Sequence, residues 1–298
     1  MQILTVFYRS ARLIARQIPY LGKYRDSLAW KVCRHRVALT IDQRKNSTFT
    51  GFLRLPSQFE ALSGPVVSYL TEQQPSAPLR IVVMGCSNGA EAYTIASILV
   101  ARCPGIEFLI DAYDINDDIL AKARSACFQT DEVLNNKVLT TEFIQATFDI
   151  DHGTYRVRKD IAARVEFHTA DVLSRDLAKQ AECCDILFAQ NFLFHLDRKD
   201  AVRAFENLCG LLKPRAVLFA DGMDLGLRQK WTRIRHLVPL DFRIEEIHHE
   251  ARRARAVGWP DHYWGLEPFM TFATNWRRRY ATIYLKGGER DTGVRRAG

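Results

Sequence analysis

Residues 80–91 of the chain read RIVVMGCSNGAE, an apolar run followed by a turn that carries two glycines and an acid. The apolar run predicts a strand that is covered on both faces of a sheet. Apolar residues then recur at helical spacing over 92–100, which predicts a helix after the turn. Gly85 and Gly89 let the backbone approach a ligand closely, and the start of the helix offers unpaired N–H groups. We therefore predict a binding corner between this strand and this helix.

Polar residues follow each of the next three predicted strands, at the place where the strand ends. Asp114 comes 25 residues after Gly89, where an acid can accept hydrogen bonds from both hydroxyls of a ribose. Ligands of open α/β sheets lie across the carboxyl ends of the strands, so we expect these polar residues to converge on one site. The predicted strands are 107–113, 164–169 and 185–189, and they lead into Asp114, Asp171 and the pair Gln190 and Asn191.

The spacing of the glycines separates two ligands that commonly occupy such a site, a dinucleotide and S-adenosylmethionine (SAM). A dinucleotide-binding loop has the pattern G-x-G-x-x-G, whereas this chain has G-x-x-x-G and carries Glu91 at the start of the helix. A carboxylate there would repel a pyrophosphate, but it would attract the ammonium and sulfonium groups of SAM. The residues therefore favour SAM as the cofactor.

The same motifs resemble those of the CheR-type chemotaxis receptor methyltransferases, in order and with ordinary spacing over residues 45–225. The resemblance implies an α/β fold of the class I SAM-methyltransferase type, with a Rossmann-like seven-stranded sheet and a short N-terminal helical extension. The matching segments are TGFLR at 50–54 (TxFFR in the family), GCSNGAEAYT at 85–94 (GCSTGEEPYS), AYDI at 112–115 (ATDI), VEFHTADV at 165–172 (VxFxxxNL) and QNFLFHL at 190–196 (RNVLIYF).

Carried over residue by residue, the resemblance implies a cofactor site and a place for the methyl acceptor beside it. No metal ion is expected in this site. The residues implied to be catalytic are Arg54, Asn191 and His195. The residues implied to bind SAM are Gly85, Ser87, Asn88, Gly89, Glu91, Asp114, Asp171, Val172 and Asn191.

Two positions depart from the family pattern, and we expect both to concern the acceptor. The family arginine before Asn191 is Gln190 here, and a glutamine offers no charge to grip an acceptor carboxylate. The family tyrosine is His195, whose ordinary pKa of about 6.5 suits a base for a hydroxyl acceptor. A histidine that packs under the adenine or caps the next helix would explain the same residue. The acceptor is left open between a protein glutamate and a small-molecule carboxylate or hydroxyl.

The predicted activity is transfer of a methyl group from SAM to an oxygen acceptor. The alternative is a catalytically degenerate protein that binds SAM or its product S-adenosylhomocysteine (SAH) and serves as a sensor or scaffold. Nucleic acid is disfavoured as a substrate, because QNFL after the fourth strand differs from the [N/D]-P-P-[Y/F] turn of base-amino methyltransferases. The seven scattered cysteines include no C-x-x-C pair, which favours reduced thiols in the cytoplasm over a disulfide framework or a zinc site.

Positive charge is concentrated in residues 1–45. This segment holds ten Lys or Arg and two acids, a surplus of eight that equals the formal net charge of +8 of the whole chain. Its apolar residues fall near one face of a predicted helix. We expect it either to associate peripherally with an anionic membrane or an acidic protein partner, or to pack on the catalytic domain. No apolar run in the chain approaches the roughly 20 residues that a membrane span needs.

The end of the sheet is predicted from a fifth strand at 216–220 and two further strands at 242–248 and 279–286. If 242–248 runs parallel to the core strands, the aromatic-rich insertion 251–276 emerges on the ligand side and forms a lid or acceptor wall. Packing of these aromatic residues onto their own domain is the alternative. The predicted division of the chain is a basic helical segment (1–45), a methyltransferase domain (46–286) and a flexible tail (287–298).

Overall fold

The computed structural model describes residues 50–72, 77–134, 138–254, 267–272 and 274–287. Its strands are β1 Leu79–Met84, β2 Phe108–Asp114, β3 Cys127–Gln129, β4 Phe148–Asp151, β5 Thr154–Val157, β6 Val165–Thr169, β7 Cys184–Gln190, β8 Leu212–Asp221, β9 Val238–Pro239 and β10 Ile283–Lys286. Its α-helices are α1 Pro56–Ala61, α2 Val67–Thr71, α3 Ala90–Arg102, α4 Asp117–Ser125, α5 Thr130–Leu134, α6 Thr141–Thr147, α7 Lys159–Ala162, α8 Leu177–Gln180, α9 Arg198–Gly210, α10 Leu225–Ile234, α11 Ile244–Ala254 and α12 Trp276–Tyr280. A π-helical turn at Leu62–Val66 joins α1 to α2.

The main sheet has seven strands in the order β6-β2-β1-β7-β8-β10-β9. Strands β6, β2, β1, β7 and β8 run parallel to one another, and β10 runs antiparallel to both β8 and β9. The chain builds outward from β1 through β2 and β6, and then returns to the other side of β1 with β7. This reversal is the topological switch point at which open α/β sheets bind ligands. The predicted seven-stranded α/β sheet is confirmed.

Two apolar layers cover the main sheet, one on each face. Side chains of β1 alternate between them, with Ile81 and Val83 on one face and Val82 and Met84 on the other. All four are nearly or fully buried, as the continuous apolar run predicts. The rings of Phe188 and Phe219 stack with centroids 4.1 Å apart in the first layer. The sheet therefore gives the loops at its carboxyl edge a rigid base.

A second, three-stranded antiparallel sheet with the order β3-β5-β4 is inserted between α4 and α7. The sequence reasoning did not predict it, because its strands have only three or four residues. Phe128 and Phe148 carry its apolar side, and Phe52 packs edge-on against them at centroid distances of 4.8 and 5.1 Å. The inserted sheet therefore anchors the segment that leads into Arg54.

The prediction of a strand at 242–248 is wrong, because this segment lies in the loop and first turns of α11. The buried residues of α11 recur at helical spacing on the side of the helix that packs against the rest of the domain. They are Ile244, Ile247, His248 and Ala251. The last strand is also shorter than predicted, since β10 begins at Ile283 after α12. With no parallel strand before it, the insertion 251–276 loses the basis for its expected place on the ligand side. Residues 255–266 and 273 of that insertion lie outside the described residues.

Two other predicted segments also fall outside the described residues, namely the basic segment 1–45 and the tail beyond residue 287. Their expected organisation stays a prediction. Among the helices that the structure does describe, none has both the length and the apolar character needed to cross a membrane.

Candidate functional site

The turn after β1 adopts a backbone that requires glycine at two positions. Gly85 and Gly89 have φ angles of +74° and +85°, which side-chain-bearing residues rarely adopt. A Cβ atom on Gly85 would lie 2.8 Å from Cδ1 of Phe192, and one on Gly89 would lie 2.8 Å from Cζ of Phe167. The glycines are therefore needed for packing against these two rings, a reason that the sequence reasoning did not foresee. The turn is also held to β2, since the N–H of Gly85 donates to the carbonyl of Tyr113 at 2.8 Å.

Asp114 ends β2 directly beside this turn. Its Oδ2 accepts a hydrogen bond from the N–H of Ser87 at 2.8 Å, and its Oδ1 accepts one from the N–H of Asn116 at 3.0 Å. Oδ1 of Asn88 accepts from the N–H of Ala90, the first residue of α3, at 3.2 Å. Each carboxylate oxygen has a second acceptor site. Asp114 can therefore keep the turn in place and still accept hydrogen bonds from a ribose.

Glu91 lies in the first turn of α3 and is half-buried. Burial raises the pKa of its carboxyl group to about 7, while Arg54 acts to lower that pKa and Asp221 acts to raise it. The side chains of Asp221 and Arg228 form a buried ion pair at 3.2 Å, and neither is more than 2% exposed. The negative charge of Glu91 is therefore unfavourable unless a cationic ligand is bound. Arg54 and Asp221 both act on this charge, and the charge of Asp221 is balanced by Arg228.

Arg54 is positioned by contacts on both sides along the chain. The N–H of Leu53 donates to Oγ1 of Thr94 in α3 at 3.2 Å. The N–H and Oγ of Ser57 donate to the carboxylate of Glu250 in α11, at 3.1 and 2.8 Å. Glu250 thus supplies the N-terminal cap that α1 lacks in its own sequence. Two helices hold the segment that carries Arg54 over the sheet.

The ends of β7 and β8 are joined by backbone contacts that place Asn191. The N–H of Asn191 donates to the carbonyl of Asp221 at 3.1 Å, and Asn191 has a positive φ of 59°. A Cβ atom on Gly222 would lie 2.7 Å from Cα of Asn191. His195 ends the short 3-10 helix Leu193–His195, where its half-exposed ring lies 4.1 Å from that of Phe194. Asn191 and His195, both predicted to be catalytic, therefore belong to one loop after β7.

The loop after β6 carries Asp171, next to the end of β2. Oδ1 of Asp171 accepts a hydrogen bond from the N–H of Leu173 at 2.8 Å. Val172 is buried among apolar residues below the site, and its carbonyl accepts from Nδ2 of Asn207 at 2.8 Å. The structure thus places Asp171 at the carboxyl edge with Asp114, and it gives Val172 a packing role.

Gln190 lies in the interior of the protein, and the expectation that it faces the acceptor is wrong. It is 6% exposed, and its Nε2 donates to Oε1 of Gln58 at 2.7 Å. Nε2 of Gln58 in turn donates to Oγ1 of Thr282 at 2.7 Å. The loss of an arginine at this position therefore says nothing about the charge of the acceptor.

Two residues of the site were missed by the sequence reasoning, Asp221 and Gly222. They come directly after the apolar strand, at its carboxyl end, and so fit the rule that singled out Asp114 and Asp171. The partner of Asp221, Arg228, has no such signal, because an arginine in a helix is ordinarily exposed.

The parallel sheet, its switch point and the acids at its carboxyl edge define a class I SAM-methyltransferase fold. The chain belongs to the family described as CheR methyltransferase, SAM binding domain, whose model matches residues 48–229. SAM is therefore the cofactor of this domain. The residues present fit it, because carboxylates lie where the ribose and the cationic groups of such a ligand require them.

Several known proteins are similar to the chain over this domain. The probable biofilm formation methyltransferase WspC of Pseudomonas putida is 31% identical over 201 residues, which cover 63% of this chain and 46% of that protein. Chemotaxis protein methyltransferase 2 of Vibrio cholerae is 30% identical over 186 residues, with coverage of 61% and 62%. The chemotaxis protein methyltransferase of Escherichia coli is 27% identical over 181 residues, with coverage of 58% and 59%. The chain thus spans 46% to 62% of the length of these relatives.

Proposed function

We propose that the protein is a SAM-dependent O-methyltransferase of the CheR type. The observation that carries the proposal is the arrangement of Glu91, Asp114, Asp171 and Asn191 at the carboxyl ends of four neighbouring parallel strands. Three carboxylates at one edge suit a ligand that is cationic and carries a ribose. The names of the similar proteins, which are methyltransferases, support the same activity.

The proposed binding roles follow from the position of each group. Glu91 faces the cationic end of the cofactor, so its carboxylate is stabilised when the ligand is bound. Asp114 accepts from the ribose hydroxyls, and its hydrogen bond to Ser87 keeps the carboxylate in a fixed orientation. Bound SAM would supply a methyl group on its sulfonium, and an acceptor oxygen aligned by the chain would take that methyl group with SAH as the leaving group. The chain then needs only to align the acceptor oxygen and exclude water.

Arg54 and His195 are the proposed acceptor-side residues. A carboxylate acceptor is ionised at neutral pH and needs no base, and Arg54 offers a guanidinium to orient it. A hydroxyl acceptor must lose a proton, which an imidazole nitrogen of His195 can take. The acceptor is thus proposed to be an oxygen nucleophile, either a protein glutamate or a small-molecule carboxylate or hydroxyl.

The first experiment is calorimetric titration of the full chain with SAM and with SAH. We expect micromolar binding that Asp114→Ala abolishes, because the ribose loses its acceptor and the turn loses its hydrogen bond to Ser87. The matched control is Asp118→Ala, which removes an exposed acid from the first turn of α4. Absence of binding by the unmodified protein would overturn the proposal.

Transfer of labelled methyl groups to candidate acceptors then tests the reaction itself. With a hydroxyl acceptor, His195→Phe should lower kcat by about 100-fold and remove the fall of kcat at acidic pH. With a carboxylate acceptor, His195→Phe should leave kcat unchanged, while Arg54→Gln raises KM. Binding of SAM without transfer to protein or small-molecule acceptors would contradict the enzymatic assignment.

A further inference from the structure

Three metal-ligating side chains lie together on strands β2 and β6, away from the loops of the cofactor site. Asp111 of β2 is in register with Glu166 of β6, and His168 lies two residues further along β6 on the same face. One ligand atom from each residue lies within 4.8 Å of the others. Nε2 of His168 is 3.4 Å from Oδ1 of Asp111 and 3.7 Å from Oε2 of Glu166.

The second observation is the state of Nε2 of His168. Within the part of the chain that the structure describes, this atom is shielded from solvent and has no hydrogen-bond partner. A buried ring nitrogen without a partner is unfavourable, and the ring is held in this orientation against Tyr113, with centroids 5.1 Å apart. Asp111 is 8% exposed. Its Oδ2 is paired with Arg80 at 2.7 Å, which leaves Oδ1 facing the histidine.

The distances suit a small divalent metal ion. Zinc binds histidine nitrogen and carboxylate oxygen at about 2.0–2.2 Å, so two of its tetrahedral ligands are about 3.4 Å apart. The separations of 3.4 and 3.7 Å from His168 are close to that value. A histidine among the ligands selects a zinc-class ion over magnesium or calcium, which prefer oxygen ligands alone. We propose that Asp111, Glu166 and His168 bind a zinc-class divalent ion, with water as the fourth ligand.

The surroundings of the site allow an ion to enter and limit its affinity. The Glu166 side chain is 73% exposed, so an ion can reach the cluster from solvent. The positively charged guanidinium of Arg80 pairs with Oδ2 of Asp111, the oxygen that does not face His168, and also with Glu182 at 3.1 Å. This charge opposes a cation, so we expect micromolar rather than tighter binding.

The position of the proposed ion links it to the two strands that carry cofactor-site acids. Asp111 lies three residues before Asp114, and His168 lies three residues before Asp171. An ion shared by β2 and β6 joins the edge strand to its neighbour and stabilises the folded state, in which alone the three ligands converge. The melting temperature of the protein therefore rises with metal.

The test is titration of the metal-stripped full chain with Zn²⁺ by calorimetry and with Co²⁺ by visible absorption. We expect one ion per chain and a rise in melting temperature. His168→Ala and Glu166→Gln should each weaken binding by about tenfold or more. Arg80→Gln should tighten it, because the competing charge is removed. The matched control is His249→Ala, since His249 lies outside the cluster and pairs with Glu245 at 3.5 Å.

Unchanged Zn²⁺ affinity in both His168→Ala and Glu166→Gln would overturn the proposal, as would absence of binding by the unmodified protein. Glu166 is exposed, so Glu166→Gln keeps the test valid even if His168→Ala fails to fold. SAH binding by each variant reports separately that the cofactor site is intact.

Discussion

Substitution of Glu91 by glutamine is expected to raise the stability of the ligand-free protein. The pKa of Glu91 rises from 4.5 to about 7 in the fold, mainly through burial, so the native state disfavours the charged carboxylate. One pKa unit corresponds to about 1.4 kcal/mol, which gives about 3 kcal/mol in full. The side chain is partly exposed, so solvent screening reduces the expected gain to about 2 kcal/mol.

The gain depends on pH in a defined direction. Because the pKa of Glu91 is raised in the native state, the protonated side chain contributes its full stability below the unfolded pKa of 4.5. This contribution is lost as the pH rises through about 7. Glu91→Gln mimics the protonated form at every pH. The difference between the variant and the unmodified protein should therefore be about 2 kcal/mol at about pH 8.5, and below about 1 kcal/mol at about pH 5.

Cofactor binding should change in the opposite sense. In the proposed site the ionised Glu91 lies by the cationic end of SAM, and losing such a contact costs about 1.5–3 kcal/mol. We therefore expect Glu91→Gln to weaken SAM binding about tenfold to 100-fold at alkaline pH. For the unmodified protein, affinity should fall as the pH drops through about 7.

Urea unfolding at the two pH values and calorimetry with SAM measure both effects on the same variant. The control is Glu107→Gln, an exposed acid that pairs with Arg164 at 2.6 Å. The reasoning would be refuted if Glu91→Gln left stability at about pH 8.5 unchanged, or if it bound SAM as tightly as the unmodified protein.

Three further substitutions or truncations test other parts of the structure. Gly222→Ala should cost about 2 kcal/mol or more in urea unfolding and abolish SAH binding, because its Cβ meets the backbone of Asn191 at a positive φ. Gln190→Arg should destabilise the protein by about 3 kcal/mol without creating activity on a carboxylate, since the new charge is buried beside Gln58. Equal stability would show that position 190 reaches solvent. Deletion of residues 1–22 should abolish sedimentation with anionic vesicles but leave SAH binding intact; no sedimentation of the full chain would end the membrane hypothesis.

The core strands could be predicted from the sequence because each is a short apolar run that ends in a polar residue. Segment 242–248 could not, because its three apolar residues fit a short strand as well as the start of a helix. The choice between strand and helix depends on contacts with residues that are distant in the sequence. Glu250 of α11 accepts two hydrogen bonds from Ser57, which hold α11 against α1.

The inward orientation of Gln190 could have been predicted from the sequence, but the sequence analysis did not predict it. Side chains alternate along a strand, so a residue two positions after Phe188 faces the same layer. Phe188 is fully buried in that layer, and Gln190 follows it inside. Burial of Arg228 could not be predicted, since it depends on the ion pair with Asp221 and on the carbonyl of Arg279 at 3.1 Å.

The contacts that hold the Arg54 segment join parts of the chain that are synthesised far apart. Ser57 and Glu250 are separated by 193 residues, and Gln58 and Thr282 by 224. Contacts of such long range form late, because a large loop must close before they yield any stabilisation. The glycine turn and Asp114 need only β1 and β2, whereas the segment of Arg54, the proposed acceptor side, is completed when β10 joins the sheet. A ribosome-bound chain that has not yet reached β10 therefore has its cofactor loop before it has a finished place for the acceptor.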